Sequence, residues 1–150
     1  MLKCNLKPDW DYLVGDDMEQ LGNLFEVAAR EYDMSVFVPT FMNSRFREAM
    51  DEWHPQYSNG PVLWLLSKVL IDFPDLPKME NNYPHYCMKW IGMTYAYLCF
   101  YLNMTSKEIY ALLPLDKMLS NYTVGHERSF ESFAERFISD YNKALSNIKE

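Results

Sequence analysis

Glycine is scarce in this 150-residue chain, with five in all and no two of them close together. That excludes a phosphate-cradling glycine loop, a dinucleotide fingerprint and a G-x-S-x-G nucleophile elbow. Cysteine is limited to Cys4, Cys87 and Cys99, an odd number without paired spacing. Cys87 and Cys99 fall on one predicted helix, too far apart for a disulfide within it, so reduced thiols in a cytosolic protein are expected. Histidine is confined to His54, His85 and His126. None stands in an H-x3-H or C-x2-C pair, and His85-x-Cys87 lacks the glutamate and second cysteine pair of a zinc deaminase, so no metal or other cofactor is expected. The N-terminal MLKCNLKPDW has no apolar run of signal-peptide length, which again points to the cytoplasm.

Positive charge is also in short supply, with 14 Lys and Arg against 21 Asp and Glu and a net charge of −7. The imbalance is concentrated at the start. Asp9, Asp11, Asp16, Asp17, Glu19, Glu26, Glu31 and Asp33 face only Lys3, Lys7 and Arg30. Such a surface repels phosphate backbones, so direct nucleic-acid binding is disfavoured. It would attract a basic partner, including a protein whose own site binds nucleic acid. The segment Thr105 to Tyr122 has helix-turn-helix spacing. Its second half, LPLDKMLSNY, offers only Lys117 to read bases, so packing is the better account.

What the chain has in quantity is apolar surface: 49% of residues are hydrophobic and 16% aromatic. The stretch from Trp90 to Ser106 carries no charge, and from Pro84 to Leu102 no proline interrupts it. A helix there would be roughly 28 Å long. Ile91, Tyr95, Leu98 and Leu102 form a bulky stripe. Gly92, Ala96 and Cys99 form a small-residue stripe that another helix could approach closely. Tyr86, Trp90, Thr94, Tyr97 and Tyr101 form an aromatic face with polar tips. A helix apolar all round is buried, and the Tyr, Thr and Asn content makes this one a poor membrane span.

The fold expected is all-α: about seven helices packed around the central apolar helix at residues 84–102, in a single domain spanning 1–150. An irregular arm covers residues 1–15, docked through Trp10 and Tyr12, and the end at 146–150 is expected to fray. Asp16 and Glu19 suggest a capping box for a helix whose buried stripe is Leu21, Leu24, Phe25, Ala28 and Tyr32. Ser35 to Val38 reads as extended, with Pro39 restarting the chain. In FMNSRFREAMDEW, Met42, Phe46, Ala49, Met50 and Trp53 share one face, and Arg45, Arg47, Glu48 and Asp51 fall mostly on the other. His54-Pro55 ends that helix and YSNGP is a turn. VLWLLSKVLIDF is a helix led by Pro61. Thr105 and Glu108 form a second capping box, a short helix follows Pro114, and Ser129 caps a last helix striped with Phe130, Phe133, Phe137 and Tyr141.

No catalytic residue is predicted. Cys87 beside His85 or His126 is conceivable as a nucleophile, but burial would make its thiol inert. Asp16-Asp17 and Asp51-Glu52 are paired carboxylates at helix ends or on exposed faces. Recognition remains. The expected function is a non-enzymatic interaction module that binds a partner protein through Tyr86, Trp90, Tyr97 and Tyr101, framed by Asp9, Asp11, Asp16 and Asp17. The competing reading packs that aromatic face against the helix of Trp53 or Phe133. An acidic inhibitor occupying the nucleic-acid-binding groove of its target is an alternative, and a small enzyme with a polar pocket around His54 or His126 is another.

The segments FMNSRFREAMDEWHPQY, WIGMTYAYLCFYLNMTSKEIY and YTVGHERSFESFAERF resemble a loose family of small helical proteins of gut Firmicutes. Here Gly125 precedes His126 where that family carries Tyr-His, and Pro61 alters its small-residue turn near Asn59-Gly60. Members are encoded near toxin-like genes, including ones resembling ADP-ribosyltransferases. The resemblance implies an antitoxin-like or otherwise regulatory protein.

Overall fold

A computed structural model describes residues 1–52, 60–79 and 83–149. Among these, eight α-helices form the fold and no strand is present beyond one isolated bridge between Tyr32 and Lys78. In chain order they are α1 (Val14–Ala28), α2 (Met34–Met42), α3 (Arg45–Asp51), α4 (Val62–Asp72), α5 (His85–Leu102), α6 (Ser106–Leu112), α7 (Leu115–Gly125) and α8 (Phe130–Lys149). The all-α arrangement around a central apolar helix is therefore what the chain adopts.

α5 is that helix. Its bulky stripe is fully enclosed at Ile91, Tyr95 and Leu98, and Thr94 back-bonds to the Trp90 carbonyl at 2.7 Å. The small-residue stripe admits α1. A Cβ built on Gly92 would stand 2.6 Å from the Leu21 carbonyl oxygen and 2.9 Å from the Cα of Gly22. One on Gly22 would meet the Lys89 carbonyl at 3.0 Å. The two backbones touch at that crossing, which only glycine permits. Above it, Phe25 of α1 meets Phe37, Phe41 and Tyr95 edge-on, at centroid distances of 6.2, 6.0 and 6.3 Å. Each such pair adds about 0.5–1.5 kcal/mol beyond its buried area. The Tyr95 hydroxyl donates to the Leu113 carbonyl at 2.7 Å and so fixes the end of α6.

The arm satisfies the end of α5. A helix leaves its last carbonyls without partners, and here Asn5 and Lys7 donate their backbone N–H groups to Tyr101 and Phe100, both at 2.8 Å. Trp10 is buried beneath the arm, whereas Tyr12 is exposed and does not dock it.

Four local expectations are corrected. α1 begins at Val14 and its N-cap, Leu13, makes no side-chain bond, so Asp16 sits in the first turn instead of capping it. Residues 35–38 are helical, not extended. Asp33 takes the N-cap, accepting from Ser35 N at 3.0 Å and from Ser35 Oγ at 2.7 Å, and α2 runs through Pro39. The carbonyl that Pro39 leaves unbonded belongs to Ser35, which is exposed to water, so the cost of an internal proline is reduced. α2 is the eighth helix. FMNSRFREAMDEW, expected as one helix, is divided: α2 ends at Met42 and Ser44 caps α3 from Arg45. Finally, Arg47 and Asp51 are buried rather than on an outer face. Trp53, His54-Pro55 and most of the YSNGP turn lie outside the described residues.

Candidate functional site

Arg47 is fully buried, the bulkiest of the completely enclosed side chains. Ser44 starts α3 by accepting from Arg47 N at 3.0 Å, which sets the guanidinium on the inward side one turn before Asp51. From there it reaches across the interior. Its Nη1 and Nη2 donate to the two oxygens of Asp17, each at 3.2 Å, as a bidentate pair. Its Nε donates to Ser106 Oγ at 2.8 Å and lies 3.2 Å from Asp51 Oδ1. Asp51 in turn accepts from Ser106 Oγ at 2.7 Å and Ser106 N at 2.9 Å, serving the first turn of α6. Cys99 Sγ lies 3.5 Å from Ser106 Oγ, and Lys7 Nζ donates to the Asp51 carbonyl.

Two cations and two carboxylates thus form a closed set joining the arm, α1, α3, α5 and α6. Burial opposes the Arg47 charge, but the pull of Asp17 and then Asp51 outweighs it and holds the guanidinium above its usual pKa. Burial pushes the Lys7 ammonium down, against the attraction of Asp51. Burial, followed by Asp51, pushes the Cys99 thiol up to about 12. Burial alone raises Cys87. Neither thiol has thiolate character near neutral pH, so neither is a poised nucleophile. A pocket of about 140 Å3 opens beside Asp51, Ser44 and Thr105. That is below the roughly 300 Å3 at which small-ligand sites begin. The set holds helices together.

The residues expected to meet a partner are scattered. Trp90 is 9% exposed, its ring held edge-on by Tyr122 at 5.5 Å and Phe133 at 5.4 Å. Tyr101 is buried, and Tyr97, half-buried, lies against Phe130 at 5.8 Å. Three of the four aromatics thus serve the interior, as the competing reading with Phe133 anticipated; Tyr86, 66% exposed, rests one side of its ring on Tyr122 at 5.9 Å. Asp17 is buried on Arg47, whereas Asp9, Asp11 and Asp16 are exposed. Tyr86 is at the start of α5 and the arm crosses its far end, about 20 Å away at 1.5 Å per residue. The aromatic and acidic groups therefore do not form one surface. His126 bonds locally through Nδ1 to the Tyr122 carbonyl at 2.6 Å and stacks on the Tyr122 ring at 4.3 Å. His54 lies outside the described residues.

A different surface does combine aromatic and acidic groups. α4 turns Leu65, Leu66 and Val69 inward and leaves Leu63, Trp64, Ser67 and Ile71 outside. Leu63 is 67% and Ile71 69% exposed, and Trp64 shows 36%. The Trp64 ring is steadied from below, since a Cβ on Gly60 would fall 2.6 Å from it, and Lys68 Nζ lies 5.5 Å from its centroid. Gln20 Nε2 donates to the Gly60 carbonyl at 2.9 Å and ties the head of α4 to α1. Between them runs a shallow groove bordered by Asp16, Glu19, Asn23 and Pro61. The strong apolarity of VLWLLSKVL was the available signal: it has more apolar positions than one buried face can use.

Among the described residues, no group of three His, Cys, Asp or Glu side chains is placed to hold a metal ion, and no helix is long and apolar enough to cross a membrane. The chain matches no family model, no curated protein and no solved structure.

Proposed function

We propose that this chain is a non-enzymatic binding protein that docks a basic, amphipathic segment of a partner protein and restrains that partner, as an antitoxin does. The observation that carries the reading is the outer face of α4, where Leu63, Trp64 and Ile71 stand exposed, with the carboxylates Asp16 and Glu19 across a shallow groove from its head at Gly60, Pro61 and Val62. Apolar anchors supply affinity and the acidic border selects for Lys or Arg on the incoming segment. An acidic inhibitor that mimics a phosphate backbone would share the carboxylates but has no use for Leu63 and Ile71, so the apolar face favours the first reading. The three unpaired thiols support a reducing, cytoplasmic setting.

The test is titration of a fluorescent Leu/Lys amphipathic peptide of about 18 residues, with a Leu/Glu peptide of equal length as control. The Leu/Lys peptide should bind at least about tenfold more tightly than the control. Leu63→Ser with Ile71→Ser should remove most of the binding, and Asp16→Asn with Glu19→Gln should weaken it and flatten its salt dependence. Equal binding of both peptides, or indifference to the α4 substitutions, would overturn the proposal.

A further inference from the structure

A second cavity lies in the cleft between α7 and α8 and shares no lining residue with the α4 groove. α7 ends at Gly125 and α8 starts at Phe130, so the two helices meet at that end, where a Cβ on Gly125 would press against Phe133 at 3.0 Å. Together with the end of α6 they line a space of about 510 Å3. Leu112, Leu113, Phe133, Phe137 and Tyr141 supply its apolar lining.

Its charge is opposite to that of the molecule. Lys117, Arg128 and Arg136 line the cleft, against the single carboxylate of Asp140. That carboxylate touches Arg136 only at 3.8 Å, with both side chains more than half exposed. Such a pair is weak and leaves the guanidinium available to another anion. Lys117 and Arg128 are exposed, and neither side chain is drawn into an ion pair among the described residues. In a chain of net charge −7, three cations gathered along one apolar cleft make a local positive field.

We infer that this cleft binds a small amphipathic anion, a carboxylate or phosphate ester attached to an apolar chain or ring. The apolar body lies on Phe137 and Tyr141 while Arg128, Arg136 and Lys117 take the charge, the guanidinium forks being suited to either headgroup. The volume lies within the roughly 300–1,000 Å3 of small-ligand sites.

Calorimetric titration of the full chain with decanoate, decyl phosphate and the neutral 1-decanol tests this, with amide chemical-shift mapping to locate each ligand. Decanoate or decyl phosphate should bind about tenfold or more tightly than decanol and perturb α7 and α8. The double variant Lys117→Gln, Arg128→Gln, altered only at exposed positions, should remove most of the anion's advantage over the alcohol, Arg136 keeping the rest. Ala144→Trp, which fills the open end, should abolish both. Which anion binds better separates a carboxylate from a phosphate ligand. Equal affinity for anion and alcohol, no binding of either anion at about 1 mM, or perturbation centred on α4 would overturn the inference.

Discussion

Arg47 shows how one residue can hold a fold in register. A guanidinium taken out of water is stable only while its carboxylates remain opposite it, so α1, α3 and the start of α6 have one mutual arrangement that satisfies Asp17, Asp51 and Ser106 together. Replacing Arg47 with Met keeps the bulk and strands two buried carboxylates. Urea unfolding should show a loss of about 3–5 kcal/mol, whereas Arg136→Met, on an exposed pair, should change stability by under about 1 kcal/mol. Comparable losses for both would mean that the interior cluster carries no special weight. The same cluster predicts a pH effect through Cys99. Its thiol stays protonated in the folded protein up to about 12, while in the unfolded chain it ionises near the ordinary value of 9.0. The native state therefore binds more protons between these values. The stability this contributes is fully present below 9.0 and falls as pH rises through that window. Cys99→Ala should flatten the decline in urea midpoint measured between about pH 8 and about pH 11. An unchanged slope would assign the alkaline loss to other groups, such as Tyr95, whose hydroxyl burial also raises.

At the scale of the element, the α1–α5 crossing is the contact on which the rest is stacked. Gly92→Ala would drive a methyl group into the Leu21 carbonyl, a backbone atom that has no rotamer by which to move aside. A loss of about 2–3 kcal/mol and a fall in Tm of roughly 4–12 °C are expected. Ala96→Gly, one turn on, should cost about 1 kcal/mol from helix propensity and about 1 kcal/mol from the lost buried methyl, with no backbone displaced. This crossing was legible in the sequence, because a Gly92-Ala96-Cys99 stripe on an otherwise bulky helix has one steric meaning. α5 itself was legible for a similar reason: proline-bounded, uncharged and too long for a strand. The charge cluster was not. Arg47 and Asp51 sit among Arg45, Glu48 and Glu52, and spacing does not reveal which charges in such a run turn inward to meet Asp17, thirty positions earlier. α2 was hidden by Pro39, because the cap that starts the helix, Asp33 on Ser35, lies before the proline that would ordinarily break it. The aromatic face of α5 was read correctly as a face. Whether it met a partner or Phe133 depended on where α8 lay, which periodicity does not encode.

The molecule as a whole is graded in order. α1, α5 and the Phe25 cluster lie at the centre, while α8 is held against α5 by Phe133 and Ala134 and extends outward toward its end. What steadies that outer half is a link between the two ends of the chain. Asn142 accepts from Leu2 N at 2.9 Å and donates through Nδ2 to the Leu2 carbonyl at 2.8 Å. One side chain thereby completes a strand-like pair with the arm, and the arm in turn covers the last carbonyls of α5. Loosening the link should be felt locally, since neither Leu2 nor Asn142 belongs to the Arg47 cluster, which takes the arm at Lys7, or to the Gly92 crossing. Asn142→Ala should therefore accelerate amide exchange in residues 2–7 and in the last turns of α8 by about tenfold, for two bonds worth about 0.5–1.5 kcal/mol each. Exchange in α1 and α5 should stay at the global unfolding limit. A uniform acceleration through all helices would show that the ends belong to the same cooperative unit as the core. Because Tyr141 and Ala144 border the α7–α8 cleft from this outer half, an anion seated there should oppose the local opening, and the protection it restores in Asn142→Ala would report on the cleft and the link together.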